Sequence, residues 1–101
     1  MAETVDELTI NYEEDGLLLC KELDRYVLSK GAWSTVMFLY QDFNRKEETY
    51  GPKKVTIRRY QKRDGSYIPR SKFNISSIDQ GKKVVEGLQN WIAQEEQESK
   101  K

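Results

Sequence analysis

The stretch KKVTIRRYQKRDGSYIPRSKFNI, residues 53–75, decides how this chain is read. Its first twenty positions hold eight Lys or Arg residues and one acid, Asp64. Val55, Ile57, Tyr60 and Tyr67 stand among the charges at strand-like spacing. Asp64-Gly65 supplies the positive φ that a tight hairpin turn needs, so two strands flank it. In the first, Val55 and Ile57 share one face; Lys54, Thr56, Arg58, Tyr60 and Lys62 share the other. A two-residue loop pairs Arg63 with Ser66 and sets Ile57 against Lys72, which mixes the faces. Adding one residue to the return strand sets Ile57 against Phe73, Val55 against Ile75 and Arg58 against Lys72. A slip of one residue exchanges the faces, so burial selects this second register. The expectation is a three-residue loop with a glycine bulge, which sets Tyr60 against Arg70, or an equivalent bulge near Pro69.

Working outward, WSTVMFLYQDF (33–43) is a strand rich in aromatic and β-branched residues. It is apolar on both faces, as central or interface strands are. Upstream, GLLLCKELDRYVL (16–28) supplies a first strand or bent ribbon, broken at 29–31. NRKEETYGPK (44–53) forms a long hairpin tip. Downstream, residues 76–97 read as a helix capped by Ser76 or Ser77, with Gln80 completing a capping box. Ile78, Val85, Leu88 and Ile92 make its apolar stripe, widened by Val84 and Trp91. The predicted fold is α+β: a curved four-stranded antiparallel sheet followed by a C-terminal helix. That domain spans 16–96. An acidic flexible arm precedes it at 1–15, and a frayed tail follows at 97–101. The helix is expected to cover one sheet face, leaving the basic and aromatic face open. A chain of 101 residues buries a modest core, so homodimerisation is an expected source of further burial.

The net charge of zero hides a division. Residues 1–24 carry eight acids against one lysine, residues 25–83 fourteen bases against five acids, and residues 84–101 four acids against two lysines. A basic middle between acidic ends suggests a polyanion partner. There is no histidine, which removes the commonest general base and most zinc sites. Phosphate-loop and dinucleotide fingerprints are missing too. The reading is therefore a non-enzyme with no cofactor and no metal. No apolar run approaches the ~18 residues of a membrane span, and the N-terminus lacks the apolar core of a secretory signal. Cys20, the single cysteine, reads as a packed hydrophobe. These features predict an intracellular protein, in cytoplasm or nucleoid if bacterial and in the nucleus if eukaryotic.

Cations at repeated spacing suit a phosphate backbone, and flat side chains suit unpaired bases. Lys54, Arg58, Lys62, Arg70 and Lys72 form such a basic field, with Tyr60 among them. Phe43, Arg45 and Lys46 extend it at the hairpin tip. An extended sheet face fits single strands better than a duplex groove. The same face also fits an acidic protein partner or RNA, and a solvated charged face that guards a strand edge is the plainer alternative. The acidic arm would compete with a polyanion for it.

Residues 33–92 resemble the C-terminal domain of the positive cofactor four family, single-stranded-DNA-binding transcriptional coactivators. The likeness is carried by Asp42-Phe43 at a strand end, Ile57-Arg58-Arg59-Tyr60, Asp64-Gly65, Ile68-Pro69 with Arg70 and Lys72, Ile75-Ser76, and the helix. The resemblance implies a homodimer with helices at its interface and DNA lying across the concave sheet faces. It implies DNA contacts at Phe43, Lys53, Lys54, Arg58, Arg70 and Lys72, and a role in transcription regulation, replication or repair. Two positions depart from the pattern: Gln61 stands where the family often has Trp, and the tip between Phe43 and Lys53 is longer.

Overall fold

The computed structural model describes residues 3–99. A 3-10 turn, Val5–Glu7, comes first, followed by β1 (Tyr12–Glu14), β2 (Leu17–Ser29), β3 (Trp33–Asn44), β4 (Thr49–Tyr50), β5 (Lys54–Arg63), β6 (Ser66–Ile75) and α1 (Ile78–Ser99). All pairings are antiparallel, in the order β1-β2-β3-β5-β6, with β4 on β3. The four expected strands are the four long ones. Two short strands, β1 and β4, are additional.

Bulges curve the sheet. Leu23 and Leu28 are the extra residues where β2 shifts register against β3. Between β5 and β6 the extra residue is Arg70: Arg59 faces Ser71, whereas Tyr60 faces Pro69. The turn itself is the two-residue Asp64-Gly65, with φ of 52° and 82°. The bulge thus sits near Pro69 and not in the loop. It restores the pairs Val55–Ile75, Ile57–Phe73 and Arg58–Lys72. It also moves Tyr60 from Arg70 to Pro69 and places Tyr67 opposite Lys62.

The core lies on the face that the sequence assigns to binding. Ser34, Val36, Phe38 and Tyr40 of β3 are buried there with Thr56 and Tyr60 of β5. Their cover comes from the N-terminus. Val5, Leu8 and Ile10 are 4–6% exposed and complete one apolar cluster with Val36, Phe38, Tyr40 and Tyr60. The expected flexible arm at 1–15 is therefore corrected: residues 4–10 strap the sheet, and β1 pairs with β2 around Asp15-Gly16, with φ of 53° and 78°. The physical reason is that three apolar side chains at 5, 8 and 10 suffice to seal a small face once the hairpin returns the chain to it. Met1 and Ala2 lie outside the described residues.

The helix does not cover the opposite face, which is a second correction. Ser77 caps it, its Oγ accepting from Gln80 N at 3.0 Å, while Gln80 Oε1 accepts from Ser76 N at 2.8 Å. Its first turns sit over Ile75, which is buried. Beyond them α1 projects: Val85, Leu88, Trp91 and Ile92 are 49–68% exposed. The radius of gyration is 16.6 Å, against about 13 Å for a compact domain of this length. Helix continues through Ser99, so the expected fraying from 97 is not seen there; Lys100 and Lys101 lie outside the described residues. No helix among the described residues is long and apolar enough to cross a membrane.

Candidate nucleic-acid interface

Arg58 and Lys72 face each other across β5 and β6. With Pro69, Arg70 and Ser71 they line an open hollow of about 250 Å³. The bulge makes this hollow, because the inserted Arg70 widens the ladder where Pro69 offers no N–H. Arg70 is held by its neighbour across the strand, Nε donating to Gln61 Oε1 at 2.9 Å. Arg58 is half-buried, and its Nε is buried with no hydrogen-bond partner. A buried guanidinium donor left unpaired is costly. Arg58 also lines a second groove of about 320 Å³ with Glu7, Leu8, Thr9, Tyr60, Tyr67 and Pro69. The strap thus forms one wall of the groove that Arg58 enters.

Tyr60 is 4% exposed, beneath the strap, so it is not open to stacking as the sequence suggests. Burial is the main cause that pushes its phenol pKa up; the charge of Arg58 opposes this. Burial likewise raises Tyr40, at the other end of the same face, with Asp42 adding to the rise. The Cys20 thiol, packed against this core, is raised by burial and by Asp42. That keeps it in the thiol form, in line with a packing role.

The remaining expected residues fall into two groups. Lys62 lies at the turn end of β5, its Nζ 5.4 Å from the Tyr67 ring centre. The hairpin-tip residues form a separate cluster. There Phe43 packs edge-on to Tyr50, with centroids 5.1 Å apart, and Lys21 Nζ lies 5.0 Å from the Tyr50 ring. Lys54 pairs with Asp42 at 3.2 Å, and Arg45 with Glu14 at 3.5 Å. Lys46 and Lys53 are exposed. By strand alternation Phe43 points to the face opposite Asp42 and Lys54, so the tip does not present all its cations and its ring on one side. Arg59, on the Val55 and Ile57 face, stacks on Trp33 at 4.6 Å.

Two residues of this region escape the first register. Tyr67 belongs to the Arg58 face; its hydroxyl donates to Gly31 O at 2.9 Å and pairs with Ser34. Ser71 lines the Arg58 hollow. The two-residue turn signal at Asp64-Gly65 identifies Tyr67 once the bulge is placed at Arg70 and not in the loop. Among the described residues no group of Cys, Asp or Glu side chains is arranged to hold a metal.

Compared with protein-family models, with curated proteins and with solved structures, the chain matches none of them.

Proposed function

We propose that this chain is a non-catalytic, sequence-tolerant binder of single-stranded DNA, acting as a homodimer that holds melted strands during transcription, replication or repair. The observation that carries this reading is Arg58. Its guanidinium enters an open hollow beside Arg70 and Lys72, with Nε buried and unpartnered. Three cations around one open hollow match a backbone of repeating charge, and guanidinium groups suit phosphate oxygens. The resemblance of residues 33–92 to the positive cofactor four family points the same way. The homodimer part of the reading rests on the other side of the molecule. The exposed helix stripe, with the half-buried Met37, Leu39 and Ile57 on the sheet face away from the strap, offers apolar surface that a two-fold partner would cover with the same residues.

The test is a titration of labelled oligo-dT, duplex DNA and RNA at two salt concentrations. Single-stranded DNA should bind tightest, and binding should fall steeply with salt. Arg58→Met keeps the packing and removes the charge. It should weaken oligo-dT by about tenfold and lower the salt slope by about 1, with no loss of melting temperature. Failure of oligo-dT to bind at low salt overturns the proposal. Tighter binding of RNA or of an acidic polypeptide would replace DNA as the ligand.

A further inference from the structure

Residues 4–11 are seated on the sheet without joining it. They make a single 3-10 turn, Glu7 N to Thr4 O and Leu8 N to Val5 O, both 3.2 Å, and their ladder pairing begins only at Tyr12. Val5, Leu8 and Ile10 enter the cluster of Val36, Phe38, Tyr40 and Tyr60. The remaining hold is a small polar clasp on β2. Arg25 donates to Val5 O at 3.4 Å and Asp6 O at 3.3 Å. Glu22 fixes Arg25 at 2.7 Å and accepts from Thr9 Oγ1 at 2.7 Å. Asn11 Oδ1 accepts from Glu22 N, also at 2.7 Å. Glu22 and Arg25 therefore serve as a clip at mid-strap.

The face beneath this strap is the one a single strand would use. It holds the aromatic rings Phe38, Tyr40 and Tyr60, and its margin is the Arg58 groove, where Glu7, Leu8 and Thr9 form the facing wall. The strap brings Glu7 to that margin, where it lines the groove with Arg58.

We propose that residues 4–11 are an autoinhibitory strap: in the closed state only the phosphate-binding rim of Arg58, Arg70 and Lys72 is available, and a single strand gains the aromatic face by displacing the strap. This rests on the single-strand reading above. The competition has two parts. Bases replace Val5, Leu8 and Ile10 on the rings, and phosphates displace Glu7 from the Arg58 groove. The coupling is mutual, so whatever loosens the strap must tighten DNA binding by the same factor.

Full-length chain carrying Leu8→Ala and Ile10→Ala tests this against wild type with oligo-dT at low salt. The variant should bind roughly tenfold tighter, within the range of ordinary coupling. If wild type binds and the variant binds equally or more weakly, the strap is a permanent part of the core and the inhibition is overturned, with the functional reading intact. If neither binds, the functional reading falls and the strap proposal with it. Hydrogen exchange on the wild-type chain reads the same point without substitution, should the variant fail to fold. Amides of residues 4–11 should lose protection when oligo-dT saturates the protein. Unchanged or increased protection would overturn displacement.

Discussion

Tyr60 sits at the point where the two strands of the 53–75 hairpin, the strap and the Arg58 groove meet. Its phenol is buried, and burial raises its pKa above the ordinary tyrosine value. The consequence for stability has a definite sign. Because folding raises the pKa, the contribution is fully present below the unfolded-state value of about 10. It is lost as pH rises through the folded-state value. Tyr40 and Cys20 shift in the same direction, so all three act together on the alkaline side. Melting temperature should fall above about pH 9 to 10, and Tyr60→Phe should flatten part of that fall. A melting series across the alkaline range checks it; an unchanged slope in Tyr60→Phe would mean that the phenol is not buried when folded. For Arg58 the proposed function predicts the complementary case: Arg58→Met should cost affinity without costing stability.

At the scale of elements, two dipeptides do similar work with different consequences. Asp64-Gly65 and Asp15-Gly16 both close hairpins with positive φ at both positions. The first joins two ten-residue strands; the second joins β2 to a three-residue strand at the sheet edge. Gly65→Ala should cost about 1–2 kcal/mol in urea unfolding, since a Cβ is strained at φ of 82°. Gly16→Ala meets the same strain at 78°, but its first effect should be faster exchange in residues 4–14, because the strap hairpin opens before the sheet does. Helix capping is read locally with equal ease. Ser77→Ala removes the acceptor for Gln80 N and should cost about 1 kcal/mol. The low apolar content and six acids of the first fifteen residues concealed the N-terminal hairpin, although its turn dipeptide is the one that identifies β5 and β6.

The whole molecule is a curved sheet with a strap on one face and a helix that reaches past the other. Its extents of 59 × 39 × 17 Å describe a single layer with an arm. A helix with Val85, Leu88, Trp91 and Ile92 exposed carries an apolar stripe of the kind that marks an interaction surface. Leu88→Asp should shift the chain from dimer to monomer in sedimentation, with loss of helix content, because the stripe then has no apolar counterpart to meet. A wild-type chain that sediments as a monomer at micromolar concentration would remove the dimer from the proposal. The two faces then divide the work proposed here: one copy meets the other through the helix and the Ile57 face, and nucleic acid meets the Arg58 face.

Alternation, turn dipeptides and capping residues lie within a few positions of each other, so the sequence by itself determined the four long strands, the pairs Val55–Ile75 and Arg58–Lys72 and the start of the helix, and it left the bulge to either the loop or Pro69. Which face is core was not local. Both faces of β3 are apolar, so alternation sorts its side chains into two sets without saying which is covered. Only the tertiary structure decided that, by returning Val5, Leu8 and Ile10 onto Phe38 and Tyr60 and sending the helix outward. The deciding contacts join residues some thirty to fifty positions apart, at a distance where burial, and no local propensity, selects the partner.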